Sequence, residues 1–154
     1  MTQKLDATDR AILNMLQTDV SLTIKEMAKR LHLSTTPIFD RMKKLEKSGV
    51  IRAYVALVDQ KAIGRSLNVF INISIKDHGK DAIDNFVSEI IAFEEVLECH
   101  HISGDSDFLI KLVVADIAAY NNFILEKLAI IPNLGKVESR FSLSERKYST
   151  ILKV

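Results

Sequence analysis

Residues 23–52 carry eight cationic side chains (Lys25, Lys29, Arg30, Arg41, Lys43, Lys44, Lys47 and Arg52) against three carboxylates, Glu26, Asp40 and Glu46. The remainder of the chain offsets them: residues 1–60 have a net charge of +3 and residues 61–154 of −2, so the formal net charge of +1 conceals a local basic cluster. Clustered cations on one helical face are the electrostatic footprint of a polyanion partner. Within 34–48, Ile38, Met42 and Leu45 recur at i, i+4 and i+7 and must turn inward. The outward set is then Thr35, Thr36, Asp40, Arg41, Lys43, Lys44 and Lys47. A helix laid in the major groove of double-stranded DNA reads base edges from its N-terminal turns. This makes Thr35, Thr36, Asp40 and Arg41 the candidate readers, with the Arg41 fork suited to guanine O6 and N7. Ser34, Lys25, Lys43, Lys44, Lys47 and Arg52 are candidate phosphate contacts, which position without specifying.

A second cluster lies at Ser103-Gly104-Asp105-Ser106-Asp107. A glycine and two aspartates between strands suit any hairpin turn. The same residues suit a small zwitterion, carboxylates meeting an ammonium and turn amides meeting a carboxylate. Cys99, His100 and His101 are consecutive, so strand alternation sends neighbours to opposite faces and no metal is expected there. No nucleophile–base pair, phosphate-binding glycine loop or metal-ligand spacing is present, so no catalysis and no cofactor are expected.

The elements that would hold these residues follow from caps and periodicity. Asp6 and Asp9 stand at capping-box spacing ahead of Ile12, Leu13 and Leu16, with Leu5 placed as a hydrophobic staple. Thr23 and Glu26 form a T-x-x-E box ahead of a helix with Ile24, Met27, Ala28 and Leu31 on its buried face. Leu31-His32-Leu33 is a sharp corner, Ser34 caps a third helix with Pro37 in its first turn, and Gly49 ends it. Val50 to Val58 is β-branched and aromatic and reads as one or two short strands, a wing; Gly64 marks the end of a linker.

The second half has another rhythm. Residues 67–75 alternate, with Leu67, Val69, Ile71, Ile73 and Ile75 on one face. Residues 80–92 read as a helix with Ile83, Phe86, Val87, Ile90 and Ile91 as its stripe. Residues 95–103 and 108–115 read as strands, followed by a helix capped by Asp116 that carries Ile117, Tyr120, Phe123, Ile124, Leu128 and Ile131. Pro132 and Asn133 stop it, and 136–144 alternate again, with Val137, Phe141 and Leu143 on one side. The order strand–helix–strand–strand–helix–strand is the ferredoxin-like arrangement. Both helices cover one sheet face; the other, with Asn68, Phe70, Asn72, Glu138 and Arg140, is left for a partner sheet, and a homodimer is expected.

The bulk numbers agree with a soluble α+β protein. An apolar content of 47% with 27% charge is ordinary for a globular chain. No apolar run approaches the roughly 20 residues of a membrane span. The opening MTQKLDATDR lacks a signal-peptide core, and a lone Cys99 suits a reducing compartment, so the expected location is the cytoplasm.

LDATDRAILNMLQTD, LSTTPIFDRMKKLEKSGVIRAYVALVD, ECHHISGDSDFLIKL and DIAAYNNFILEKLAIIPNL together resemble the Lrp/AsnC (leucine-responsive, feast/famine) transcription regulators of bacteria and archaea, from about Leu5 onward. The resemblance implies a winged helix-turn-helix over 1–52, a wing and linker over 53–66, and a ferredoxin-like RAM domain for effector binding and oligomerisation over 67–154. It implies dimers assembling into octamers, and an amino-acid-like effector held between dimers near Gly104, Asp105, Ser106 and Asp107, with Ser139 falling where the last strand of the family usually offers a threonine. Ala53 stands where the family usually has Gly, and Asn133-Leu134 where it usually has Gly-Val. The expected function is a sequence-specific, nucleoid-associated DNA-binding regulator. The alternative is an effector-sensing assembly protein whose helical head binds another protein.

Overall fold

The computed structural model describes residues 4–154. The chain divides into two compact units, one comprising residues up to Leu57 together with Lys147–Val154, the other Val58–Arg146.

In the first unit three helices follow their caps: α1 (Ala7–Thr18), α2 (Ile24–Leu31) and α3 (Thr35–Lys47). Both capping boxes form. Asp6 accepts from the Asp9 N–H at 2.8 Å, and the Asp6 N–H donates back to Asp9 at 3.3 Å. Thr23 and Glu26 do the same at 3.2 and 2.8 Å, which satisfies amides that a helix start otherwise orphans. His32 adopts φ 54° and ψ 40°, so the α2–α3 corner turns through a single left-handed residue. Ile12, Leu13, Met27, Ala28, Ile38 and Leu45 form the buried centre, with Leu5, Leu16, Leu31 and Met42 packed around it. Gly49 follows α3 with φ 73°.

The expected wing strands do not form: no strand occurs between α3 and residue 67. A strand needs a neighbour for its ladder, and Tyr54, Val55, Leu57 and Val58 are exposed, with no partner strand among the described residues. The segment is fastened to α3 by the Ile51 N–H, which donates to the Leu45 carbonyl at 3.1 Å, and by Tyr54 Oη, which donates to Glu46 Oε1 at 3.1 Å. The segment 147–154, assigned from the sequence to the second domain, packs with the helices instead. The Gln17 side chain donates to the Leu152 carbonyl (2.9 Å) and accepts from its N–H (2.7 Å), and Val154 rests against the helical core.

The second unit is a four-stranded antiparallel sheet of β1 (Leu67–Ile75), β2 (Val96–His101), β3 (Phe108–Val114) and β4 (Leu134–Phe141), in the order β2-β3-β1-β4. With α4 (Lys80–Ile90) and α5 (Ile117–Asn122), this is the ferredoxin-like topology. Val69, Ile71, Ile73, Phe108, Ile110 and Leu112 line the covered face against Phe86, Ile90, Phe123 and Leu128. Asp116 caps α5, accepting from the Ala119 N–H at 2.8 Å. Beyond Asn122 the chain widens into a π-helical turn, Phe123–Leu128. The wider turn rotates the downstream face and is invisible to a 3.6-residue count. Four positions expected to be buried are exposed: Ile91 and Ile117 lie at the helix ends, Phe141 is the last residue of β4, and Leu143, 98% exposed, lies past its end.

Candidate nucleic-acid interface and ligand loop

On the first unit, α3 buries Ile38 and Leu45 and leaves Thr35, Thr36, Phe39, Asp40, Lys43, Lys44 and Lys47 exposed. Exposed Lys25, Lys29 and Arg30 on α2, and Arg52 after α3, add cations to the same unit. Lys43 pairs with Glu46 at 3.0 Å while remaining 61% exposed, so its charge stays at the surface. The Lys43 ion pair and, next, the Tyr54 hydrogen bond hold the Glu46 carboxyl below its usual range. Burial and then the bond to Glu46 push the Tyr54 phenol above its own. Ser34 occupies the N-cap position but makes no side-chain cap bond, leaving its hydroxyl available.

Arg41 departs from the sequence expectation. Its Nη1 donates to Asp6 Oδ2 and to Asp9 Oδ1, both at 2.6 Å. The two carboxylates belong to the α1 capping box, and Asp9 is 2% exposed. The backbone amide of Asp9 and then Arg41 hold the Asp6 carboxyl below its ordinary value. Arg41 is therefore a brace between α3 and α1. The residues joined are 32 and 35 positions apart, so only the folded packing could show this.

In the second unit the loop after β2 turns at Gly104 (φ 120°), a conformation that side-chain-bearing residues rarely adopt. Asp107 anchors it. Its N–H donates to the Ile73 carbonyl (3.0 Å) and its carbonyl accepts from Ile102 (2.8 Å). Its Oδ2 accepts from the Ile75 N–H (2.8 Å), and its Oδ1 lies 3.0 Å from His78 Nε2. The Ile75 amide, ahead of His78, holds the Asp107 carboxyl below the usual range. Both oxygens are engaged, so Asp107 shapes the loop. Asp105 is exposed, and its carboxylate has no hydrogen bond or ion pair among the described residues; its carbonyl accepts from Ser74 Oγ at 3.3 Å. Ser106 is half-buried.

Ser139 is not drawn into this loop. It pairs with inward-facing Ile71, and its Oγ accepts from Tyr120 Oη at 2.9 Å. Alternation along β4 sets it under α5 beside Phe141, whose ring meets Tyr120 edge-on at 4.9 Å. Three contacts escaped the sequence reading: His78 on Asp107, Tyr120 on Ser139, and Asn133, whose side chain exchanges two hydrogen bonds with the Asp77 main chain. Asn133, standing where the family usually has Gly, takes the left-handed conformation at φ 67°.

The uncovered sheet face carries Asn68, Phe70 and Asn72 beside Val113, Lys111 and Leu109, with Glu138 and Arg140 on one flank and Glu98 and His100 on the other. Lys111 reaches Glu98 at 3.2 Å, and Asn68 Oδ1 is buried with no hydrogen-bond partner among the described residues. Cys99 and His101 face the opposite way from His100, as alternation requires. No metal-ligand cluster occurs among the described residues, and none of their helices is long and apolar enough to cross a membrane.

Residues 5–52 match the winged helix-turn-helix DNA-binding model, and residues 68–152 match the Lrp/AsnC ligand-binding domain. The chain belongs to the Lrp/AsnC family. It is similar to the leucine-responsive regulatory protein of Klebsiella pneumoniae, 37% identical over 96% of this chain and 90% of that protein. It is also similar to the glutamate uptake regulatory protein of Zymomonas mobilis, 38% identical over 99% and 92%. Among solved structures, the Neisseria meningitidis transcriptional regulator in complex with L-Met superposes with a TM-score of 0.91 at 35% identity, covering 97% of this chain and 96% of that one. Escherichia coli AsnC superposes with a TM-score of 0.90 at 26% identity over 97% of this chain. The protein thus has the architecture of an Lrp/AsnC transcription regulator: a helix-turn-helix DNA-binding unit and a ferredoxin-like unit that matches the family's ligand-binding domain.

Proposed function

We propose that this Lrp/AsnC regulator reads a specific duplex through the outer face of α3 and adjusts its hold on that duplex in response to an amino-acid-class effector. One observation carries the reading: α3 hides Ile38 and Leu45 while presenting Thr35, Thr36, Asp40, Lys43, Lys44 and Lys47 outward. Thr35, Thr36 and Asp40 face base edges, and Ser34, Lys25, Lys43, Lys44, Lys47 and Arg52 face phosphates. Arg41 supports this surface from behind.

The open sheet face, with half-exposed Phe70 and the lone Asn68 carbonyl, pairs with its equivalent in a second copy. The dimers assemble further into octamers, and each dimer sets two α3 helices on successive major grooves. The effector binds at Gly104–Asp107, its ammonium on Asp105, its carboxylate on turn amides with Ser106 alongside, while Asp107 holds the loop in shape. L-Met on the Neisseria relative marks the class. The effector acts by preferring one assembly over another. The protein works by binding, without turnover or cofactor, on the nucleoid in the cytoplasm.

The decisive experiment selects sites from random DNA with and without pooled amino acids, then follows affinity against salt. A preferred site whose affinity falls steeply with salt is the expected result. Binding to every duplex alike, or to none, overturns the reading.

A further inference from the structure

We infer that Phe39 is a specificity-determining residue that selects thymine through its C5-methyl group; this rests on α3 being the groove helix. Phe39 is 46% exposed and is absent from the packed core of its unit, whereas Ile38, Met42 and Leu45 of the same helix are packed there. A half-exposed phenyl ring on an otherwise polar helix face contributes nothing to the packed core of this unit. Thr35, Thr36, Phe39, Asp40 and Lys43 follow one another at i, i+1, i+4, i+5 and i+8, which puts the ring on the surface that would face base edges, within the first turn and a half. Lys43 Nζ lies 5.8 Å from the ring centroid, within cation–π range, so the ring is flanked by a cation that can meet a phosphate while the ring itself faces the groove floor.

The chemistry of its neighbours narrows the target. Arg41, the residue best able to fork onto guanine, is turned onto Asp6 and Asp9. What remains near Phe39 is two threonines and the acceptor Asp40, none of which distinguishes thymine by a bidentate bond. In the major groove the only apolar feature of a base pair is the thymine methyl. An aromatic ring there finds its complement in that methyl and in nothing else.

The test uses the full-length protein and the site enriched from random DNA. Each thymine of the site is replaced singly by deoxyuridine, which removes the methyl and leaves every hydrogen-bonding group in place. At one thymine per half-site, wild-type affinity should fall about fourfold, the worth of one buried methyl-sized group. Phe39→Ala should bind the thymine and uracil duplexes equally, and Phe39→Leu should keep part of the preference. Unchanged thermal unfolding of Phe39→Ala separates this from a packing role. If no uracil substitution weakens the wild type, or if Phe39→Ala keeps the full discrimination, the inference is wrong even though the site itself was enriched. The uracil series on the wild type needs no variant to fold. Failure to enrich any site overturns the groove-helix reading, and this inference with it.

Discussion

Arg41 and Lys44 lie three positions apart on α3 and do different work. Arg41 joins Asp6 and the nearly inaccessible Asp9, so truncating it leaves a buried carboxylate without its cation. Arg41→Ala is expected to destabilise the helical unit by about 1–3 kcal/mol, in line with charge-assisted hydrogen bonds to a partly exposed group. Urea unfolding followed by circular dichroism measures it, and an unchanged midpoint rejects the brace. Lys44 is exposed and has no ion pair among the described residues. Lys44→Ala should leave stability unchanged, weaken all duplexes alike, and reduce the salt slope by about one. The spacing of Asp6 and Asp9 signalled a cap, and that cap formed; nothing in the sequence told that Arg41 would lie across it. Acid tests the same carboxylates. Asp6 and Asp107 titrate in the folded protein below the unfolded value of about 3.9. Their stabilising contribution is therefore complete above about pH 4 and is lost as pH falls through their lower folded values. An unfolding midpoint that is flat from pH 7 to 5 and drops below about pH 4 is expected in a thermal series.

Among the elements, the edge pairing of β1 with β4 tolerates least. The register shifts between Ile73 and Ile75, and a Cβ placed on Gly135 would lie 2.6 Å from the Ser74 carbonyl oxygen. Backbone cannot yield as a flexible side chain does, so Gly135→Ala should lower the melting temperature of the chain, read by calorimetry. A melting temperature equal to wild type would mean that β4 slides without cost. Helices and strands with strong periodicity stood where the sequence put them: β1 matches residue for residue, and α3 differs only at its ends. The misses have a common cause. Val50–Val58 has strand-like residues but no strand to pair with among the described residues, and the π-helical turn at Phe123–Leu128 departs from the 3.6-residue period on which the helix was read. Propensity describes a residue, whereas a strand is a relation between two segments.

At the scale of the molecule, the segment 147–154 belongs to the helical unit although it follows β4 in the chain. Gln17 grips both main-chain groups of Leu152, and Val154 covers the helical core. Deleting residues 151–154 should therefore lower the unfolding temperature of the helical unit, seen by hydrogen exchange as faster exchange in α1, while β1 and β3 keep their protection. Equal exchange in α1 would show the grip to be incidental. Placing a charge at the centre of the open sheet, Phe70→Asp, should shift the protein toward monomer in sedimentation while leaving each unit folded. A Phe70→Asp protein that sediments as the wild type would remove this face from the assembly.

The sequence alone determined the element order, both capping boxes, the two buried stripes and the basic outer face of α3, because each depends on residues within a few positions of one another. The tertiary structure alone decided that Arg41 ties α3 to the α1 capping box, that Asp107 shapes its loop while Asp105 stays open, that Ser139 bonds to Tyr120, and that the last residues close over the helices. The bonds behind them join residues 19 to 135 positions apart. Such meetings are set by how the elements pack, a property that no local pattern of residue types encodes.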